Sequence, residues 1–469
     1  MLILALVILF LLVIVVRAVL FRPLPQKPVA DVPVTVDEEK VVSDLRDMVR
    51  CKTVSGQYPE DFAAFRSLLV ERFPLIHKAC TLHHLSETGL LYHLPGQSHD
   101  KAAVCMAHYD VVPVEENGWS KPAFEGILED GVIWGRGTLD TKGTLCGVME
   151  ALEALLKEGY VPKHDLYLSF SGDEEVDGRS CPAIVSWLEE HGVVPALVLD
   201  EGGAVVDHVF PGVPGQCAMI GIAEKGMINA EYSVKSSGGH ASAPPVKTPI
   251  TTLAKACRSV IEHPFKMDIT MPAAMMFDTL ARRSSFLFKL IFANLWCFKP
   301  VFDLICKASG GEMNALVRTT TAFTMMQGSN ARNVIPTEAS LVSNMRLNPS
   351  DSVASAESYL NKVVNDPDVT ITVLESNEPS RISRTDCDGW QKVASAVAST
   401  WRGCVVTPYL MVQCSDSRHY GRISDKVYRF SAMDLTSEER RSIHGNNERI
   451  RLETVAKAAE FYLRLLKSC

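Results

Sequence analysis

The stretch Ala102-Ala103-Val104-Cys105-Met106-Ala107-His108-Tyr109-Asp110 decides how the chain is read. Its six consecutive apolar residues follow Lys101 and have the character of a strand buried inside a sheet. The strand ends in two residues with chemistry, His108 and Asp110. Side chains alternate along a strand, so these two project from the same face. A carboxylate beside an imidazole can hold one ring nitrogen and leave the other for a metal. An isolated His-x-Asp is just as readily a satisfied strand end, so the argument depends on where the neighbouring strands finish.

Outward from this strand the pattern repeats. Residues 88–94 form a strand before it, and residues 131–134 a short one after it, with Gly135 and Gly137 in the turn that follows. A helix begins after Asp140, with Leu145, Val148, Met149, Leu152, Leu155 and Leu156 at helical spacing, and Gly159 stops it. Residues 166–170 form a strand running into Gly172-Asp173-Glu174-Glu175, and residues 181–190 a helix. Residues 196–199 form a buried strand ending at Asp200-Glu201-Gly202-Gly203. Helices are expected upstream at 37–49 and 62–73. Strands alternating with helices imply an α/β domain with a helix-covered, mainly parallel sheet.

From about residue 225 the order changes to strand 227–234, helix 249–262, strands 315–326 and 338–347, helix 353–364 and strand 369–374. This βαββαβ order is the split-βαβ arrangement of an α+β domain inserted into the first. The expected division is therefore 1–21 as a membrane anchor or signal, 22–36 as a linker, 37–224 and 381–469 as two parts of one domain, and 225–380 as the insert. Within the insert an extra stretch, 265–314, contains the apolar run from Phe286 to Phe298. Lys289, Lys299 and the short apolar lengths argue against a second membrane span. It reads as a helical pair packed on the inserted domain, or as an apolar wall for a greasy substrate or a membrane surface.

Residues 1–16 are uninterrupted apolar residues, and a helix to Phe21 would be about long enough to cross a bilayer. There is no basic segment before it and no clear small-residue cleavage site, which favours an uncleaved anchor over a signal peptide. Arg17, Arg22 and Lys27 follow the span, and the positive-inside rule then places the body in the cytosol. Four prolines between Arg22 and Val36 mark an extended tether. A net charge of -8 without a long basic run gives no case for nucleic-acid binding. The thirteen cysteines show no CxxC pairs and no disulfide framework.

Four loops thus bring side chains of one kind to one edge of the sheet: His108 with Asp110, Asp140, Asp173-Glu174-Glu175, and Asp200. Ligands of open α/β sheets bind outside the carboxyl ends of the strands. Carboxylates gathered there repel one another unless protons or cations intervene. One imidazole with several carboxylates suits zinc, with manganese or cobalt as alternatives.

Taken together, Ala107-His108-Tyr109-Asp110, the run Gly135 to Gly143, Gly172-Asp173-Glu174-Glu175, Asp200 and Ile443-His444-Gly445 resemble a known family. It is the zinc aminoacylase and carboxypeptidase family of metallopeptidases, which includes acetylornithine deacetylase and glutamate carboxypeptidase. The resemblance covers about 37–467. Its N-fatty-acyl-amino-acid branch, and next the carboxypeptidase S branch, are the most similar; Glu224-Lys225-Gly226 and the run Gly238 to Pro245 point there. The resemblance implies two zinc ions per subunit bridged by Asp140. His108 and Asp200 would complete one site, Glu175 and His444 the other, with Glu174 as general base and Asp110 orienting His108. It implies that the insert is a lid and dimerisation domain, in which Asn333 holds the substrate's carbonyl oxygen and Arg346 its carboxylate. His240 would reach the active site of a neighbouring subunit in a homodimer, and Asp416 receives no role. The expected activity is hydrolysis, and in reverse formation, of the amide bond of N-acyl amino acids with a free carboxylate, fatty-acyl ones by the nearest resemblance. The rivals are a carboxypeptidase or dipeptidase of the carboxypeptidase S type, and a non-catalytic metal-binding protein. The last would usually lack a base or ligand, whereas Glu174 and all five ligand positions are present.

Overall fold

The computed structural model describes residues 1–25, 32–210 and 212–469. Lys27 and part of the 22–36 linker lie outside the described residues. The central sheet has eight strands in the order Thr81–Leu85, Gly89–Leu94, His164–Ser171, Ser98–His108, Pro195–Asp207, Val427–Leu435, Gln216–Glu224, Val405–Met411. Ser98–His108 runs parallel to both its neighbours, and Val427–Leu435 runs parallel to Pro195–Asp207. Ser98–His108 is buried on both sides. Ala103, Cys105 and Ala107 join one apolar cluster, and Ala102, Val104 and Met106 join another on the opposite face. Helices Glu38–Arg50, Lys142–Lys157 and Leu452–Lys467 supply the first cluster, and Ser180–Glu190 supplies the second. Lys142–Lys157 and Leu452–Lys467 approach closely at Gly147, where a Cβ would sit 3.3 Å from Ala458.

The sheet is mixed rather than mainly parallel throughout. Thr81–Leu85, Gly89–Leu94 and His164–Ser171 pair antiparallel in succession, and Gln216–Glu224 turns back against Pro195–Asp207. The connections from Thr81–Leu85 to Gly89–Leu94 and from Pro195–Asp207 to Gln216–Glu224 are too short for the crossover that a parallel neighbour requires, so they close as hairpins. The strand expected at 196–199 continues to Asp207 through Gly202 and Gly203. At Gly203 a Cβ would meet the Met219 carbonyl at 1.7 Å, so the glycine lets two backbones pair where a side chain would part them.

The second sheet is antiparallel, in the order Thr320–Gln327, Glu338–Leu347, Gly226–Lys235, Thr370–Asn377. Helices Pro249–Glu262 and Val353–Val364 cover one face, packing Leu253, Ala256 and Leu360 against Ile228, Ala230, Tyr232 and Met345. This is the βαββαβ order read from the sequence, except that its second strand begins at Thr320 and not Ala315. Residues Gly311–Ala315 are helical instead.

The stretch 265–314 forms helices Met271–Ala281, Phe286–Phe292 and Leu295–Ser309, followed by Gly311–Ala315. Phe265 packs on the small sheet's cluster, but the helices themselves do not. Phe277, Phe292 and Phe302 belong to the apolar cluster of the central sheet and gather with Phe210, with ring centroids 5.2 to 6.3 Å apart. Periodicity marks an apolar face but not its partner, which is why the sequence pointed to the wrong sheet.

The two sheets meet at Glu224-Lys225-Gly226. Glu224 is buried in an ion pair with Arg429 at 2.9 Å, and its other oxygen accepts the Ser415 N–H at 2.6 Å. Removing one partner of such a pair leaves an uncompensated buried charge. Arg429→Met is therefore expected to destabilise the protein by about 3–5 kcal/mol, read as a fall in the denaturation midpoint. A midpoint unchanged from wild type would show that the pair is dispensable.

Candidate active site

His108 closes its strand with the ring inside the fold. Its Nδ1 lies 3.0 Å from the Asp110 carbonyl oxygen and 3.3 Å from the Asp110 carboxylate, leaving Nε2 turned outward. The Asp110 carboxylate does more than orient this ring. It accepts the backbone N–H groups of Glu174 and Glu175, both at 3.1 Å, and the Ser55 hydroxyl at 2.7 Å. One buried carboxylate therefore fixes both the imidazole and the turn that presents Glu174 and Glu175.

Asp140 stands between two imidazoles. Its Oδ1 is 2.9 Å from His108 Nε2, and its Oδ2 is 3.0 Å from His444 Nε2. His444 Nε2 also lies 3.1 Å from the Glu175 carboxylate. The loop that delivers His444 is tied to the Asp140 loop by Arg136. Its guanidinium pairs with buried Glu448 at 2.6 Å and donates to the Gly445 carbonyl at 2.8 Å. Glu448 in turn accepts the Leu139 N–H at 2.8 Å. His444 adopts a left-handed φ of 59°, an uncommon conformation for a residue with a Cβ, and one that clusters at functional sites. At Gly445 a Cβ would meet the Arg441 carbonyl at 2.9 Å, which accounts for the His-Gly pair.

On strand Pro195–Asp207 the structure brings Glu201, not Asp200, to this cluster. Glu201 Oε1 lies 3.5 Å from His108 Nε2, and one donor atom each from His108, Asp140 and Glu201 lie within 4.8 Å of one another. Asp200 faces the other side of the strand, as alternation requires, and accepts the Ser417 N–H at 3.1 Å. Asp140, Glu175 and His444 form a second group within the same limit. Two three-donor groups sharing Asp140 are thus in place, each with one imidazole.

The electrostatics of this cluster call for cations. Burial, with the neighbouring carboxylates adding to it, pushes the Glu174 and Glu201 carboxyls well above their usual range. The hydrogen bonds of Asp140 and Glu175 carry the His444 imidazole up to about 10. Burial works against a charged His108, yet Glu201, Asp110 and Asp140 outweigh it and raise its imidazole well above the usual value. Surroundings that draw protons onto two imidazoles draw divalent cations equally, and the donors are those of a zinc-type site. Beneath the cluster Asp416, which the sequence left without a role, hydrogen-bonds Ser171 at 2.6 Å, and burial pushes its carboxyl up to about 7.

The cluster opens into a cavity of about 730 Å³. Glu174 lines it beside the two donor groups, and so do the apolar side chains of Val206, Val209, Met219, Met411, Met433 and Leu435. Cys414 also lines the cavity, and Arg346 Nη1, from just behind that lining, donates to its sulfur at 3.3 Å. His240 and Asn333 are not part of this cavity. They sit on an exposed two-stranded ribbon, where the Ala241 N–H donates to the Asn333 carbonyl and His240 Nδ1 lies 2.7 Å from the Ser242 hydroxyl.

The sequence reading missed Glu201, the apolar wall and Arg440, which lines the cavity and donates to Glu312 at 3.3 Å. Continuing the strand past Gly203 would have found Glu201, because its alternation places residue 201 opposite residue 200.

The family described as Peptidase family M20/M25/M40 matches residues 104–468. The N-fatty-acyl-amino acid synthase/hydrolase PM20D1 of Xenopus tropicalis is 34% identical over 442 residues, spanning 92% of this chain and 86% of the relative. The probable carboxypeptidase S-like 2 of Dictyostelium discoideum is 31% identical over 447 residues, with 92% and 86% spanned. Among solved structures, the M20 family metallo-carboxypeptidase Sso-CP2 of Sulfolobus solfataricus superposes with a TM-score of 0.67 at 17% identity, covering 92% of this chain and 99% of that one.

Two substitutions separate the neighbours on the strand. Glu201→Ala should lower the bound metal measured by plasma emission to about half the wild-type content, whereas Asp200→Asn should keep it; the reverse result would restore Asp200 as the ligand. Asp110→Asn should lower activity about 10–100-fold with both metals retained, and loss of both metals would make Asp110 a ligand itself.

Proposed function

The chain belongs to peptidase family M20/M25/M40 and is a metal-dependent hydrolase, and from that premise we propose that it cleaves the amide bond of N-fatty-acyl amino acids bearing a free carboxylate. The observation that carries this reading is the cavity itself, lined by the donor cluster and by the apolar Val206, Met219, Met433 and Leu435, with Arg346 hydrogen-bonded to Cys414 of its lining. A planar guanidinium suits a carboxylate. An apolar wall suits an acyl chain, each buried methylene contributing about 0.8 kcal/mol.

The proposed ligands are His108 and Glu201 for one ion and Glu175 and His444 for the other, with Asp140 shared and zinc as the metal. Two such ions, when bound, would lower the pKa of a water between them and polarise the amide carbonyl. Glu174 lies beside the ligand set without belonging to either group, the place a general base needs. Its carboxylate oxygen takes the proton of the attacking water and passes it to the departing amide nitrogen. Asp110 holds the Glu174 and Glu175 N–H groups, so the base and its neighbouring ligand keep a constant separation. The same residues run in reverse when a fatty acid and an amino acid are abundant, because catalysis lowers the barrier in both directions.

His240 and Asn333 act, in this proposal, on the active site of a second subunit, consistent with their exposed ribbon. Helix Leu2–Leu20 serves as an uncleaved membrane anchor. The second reading, a carboxypeptidase of the S type, is supported by the Dictyostelium relative and uses the same groups on a peptide bond.

A substrate panel separates the two. For N-acyl amino acids kcat/KM should rise about fourfold per methylene until the wall is filled. Dipeptides cleaved far faster than N-oleoyl amino acids would establish the carboxypeptidase reading instead. Glu174→Gln should lower turnover by about 10²–10⁴-fold while metal content stays constant, and undiminished turnover would remove Glu174 from the role of base.

A further inference from the structure

Helix Leu2–Leu20 and the helices of 265–314 form one surface. The helix has a mean hydropathy of 3.3 and buries only Ile14 and Ala18, the face turned to helix Phe286–Phe292. A polar clamp holds the two together. Arg17 donates to the Ala293 carbonyl at 2.8 Å and to Asn294 Oδ1 at 3.1 Å. The buried Asn294 amide donates to the carbonyls of Ile14 at 3.0 Å and Leu290 at 2.9 Å. Phe10 meets Trp296 edge-on at 5.9 Å, and the Arg282 guanidinium covers Phe21 at 4.3 Å. Arg17 thus has its partners inside the protein and needs no water to satisfy it.

Helix Leu295–Ser309 turns Phe302 and Cys306 inward. Outward it presents Trp296, Pro300 and Leu304 at successive turns, with Val301 and Ile305 alongside; Trp296 is 61% and Leu304 68% exposed. Helix Phe286–Phe292 adds exposed Leu287. The core is already supplied by the inward face, so the outward stripe has another use. Its charge is opposite to that of the chain: residues 282–309 carry five basic side chains and one acidic, in a protein of net charge -8. Lys299 and Lys307 are exposed beside the stripe, Lys307 also reaching Asp303 at 2.8 Å.

We propose that this joint surface lies against a lipid bilayer with anionic headgroups. Helix Leu2–Leu20, about 28 Å long at 1.5 Å per residue, occupies the hydrocarbon, and helix Leu295–Ser309 starts beside its midpoint, where Trp296 meets Phe10. Trp296 then lies among the acyl chains, and the two lysines snorkel to the headgroups. Helix Gly311–Ala315 follows directly, and its Glu312 lines the cavity, so the membrane-facing helix and the cavity are joined by a single short element.

The test uses the full chain in vesicles of phosphatidylcholine and phosphatidylserine, with Leu287→p-benzoylphenylalanine and Leu304→p-benzoylphenylalanine, and exposed Leu374→p-benzoylphenylalanine as the control. Illumination should give phospholipid adducts at 287 and 304 at least about tenfold above 374, given that apolar contact with acyl chains is confined to side chains that lie in the bilayer. Protein adducts at 287 and 304, or lipid yields no higher than at 374, would overturn the proposal. Lys299→Glu with Lys307→Glu should lower the adduct yield to that in pure phosphatidylcholine, and equal yields in both lipids before that change would overturn the anionic requirement. In the otherwise unmodified chain, brominated acyl chains should quench emission that Trp296→Phe removes; quenching unaltered by that substitution would also overturn it.

Discussion

The Asp140 carboxylate, held between His108 and His444, is the interaction on which the rest depends. It joins the end of a central strand to a loop more than three hundred residues later in the sequence. The surrounding arrangement exists to keep that junction in register. Asp110 ties the His108 strand to the Glu174-Glu175 turn, and Arg136 with Glu448 ties the Asp140 loop to the His444 loop. Every one of these ties is a buried charge in a hydrogen bond, strong in a low dielectric and costly to leave unmade. The acidic cluster at their centre repels itself in the absence of neutralising charge, so cation binding and the closed arrangement of these loops support each other.

The parts legible in the sequence are those governed by local periodicity. Ser98–His108 announces itself because both faces are buried, and its two-residue alternation assigns odd and even positions to different clusters. The small sheet is legible for the same reason, its strands showing one buried and one exposed face. Of the clustered donors, His108, Asp140 and Glu175 follow strands or precede helices, where patterns are strong. His444 does not. It sits in a left-handed turn held by Arg136, a partner that no spacing rule connects to it, and only family resemblance could nominate it.

Glu201 was hidden by two glycines. Gly202 and Gly203 resemble a strand terminus, yet the strand resumes its pairing at Gly203 after a bulge, and Gly203 approaches the Met219 carbonyl closely. A strand that stops at 199 leaves Asp200 free to turn to either face; a strand that continues commits it to the side of Ser417 and gives the cluster to Glu201. The apolar wall was hidden for a related reason. Its residues come from the hairpin Pro195–Asp207/Gln216–Glu224 and from Val405–Met411 and Val427–Leu435, whose alternation was legible only once the register of the whole sheet was known. The partner of the apolar stretch 265–314 is a tertiary fact of the same kind.

The position of Arg346 follows from the junction between the sheets and not from its own strand. Glu224 is bound to Arg429 and to the Ser415 N–H, which anchors the loop carrying Cys414 to the central sheet. The next residue, Lys225, donates to the carbonyls of Ala315 and Arg318, anchoring the same point to the end of the apolar helices. Burial, with Arg346 adding repulsion, pushes the Lys225 ammonium down to about 7. Gly226 follows because a Cβ there would meet the Asn377 carbonyl at 2.6 Å. Two adjacent charged residues facing opposite ways therefore tie the inserted sheet that carries Arg346 to the central sheet that carries the donor cluster. The separation of Arg346 from that cluster is kept only while both buried contacts hold, because loosening either would free one sheet to shift against the other.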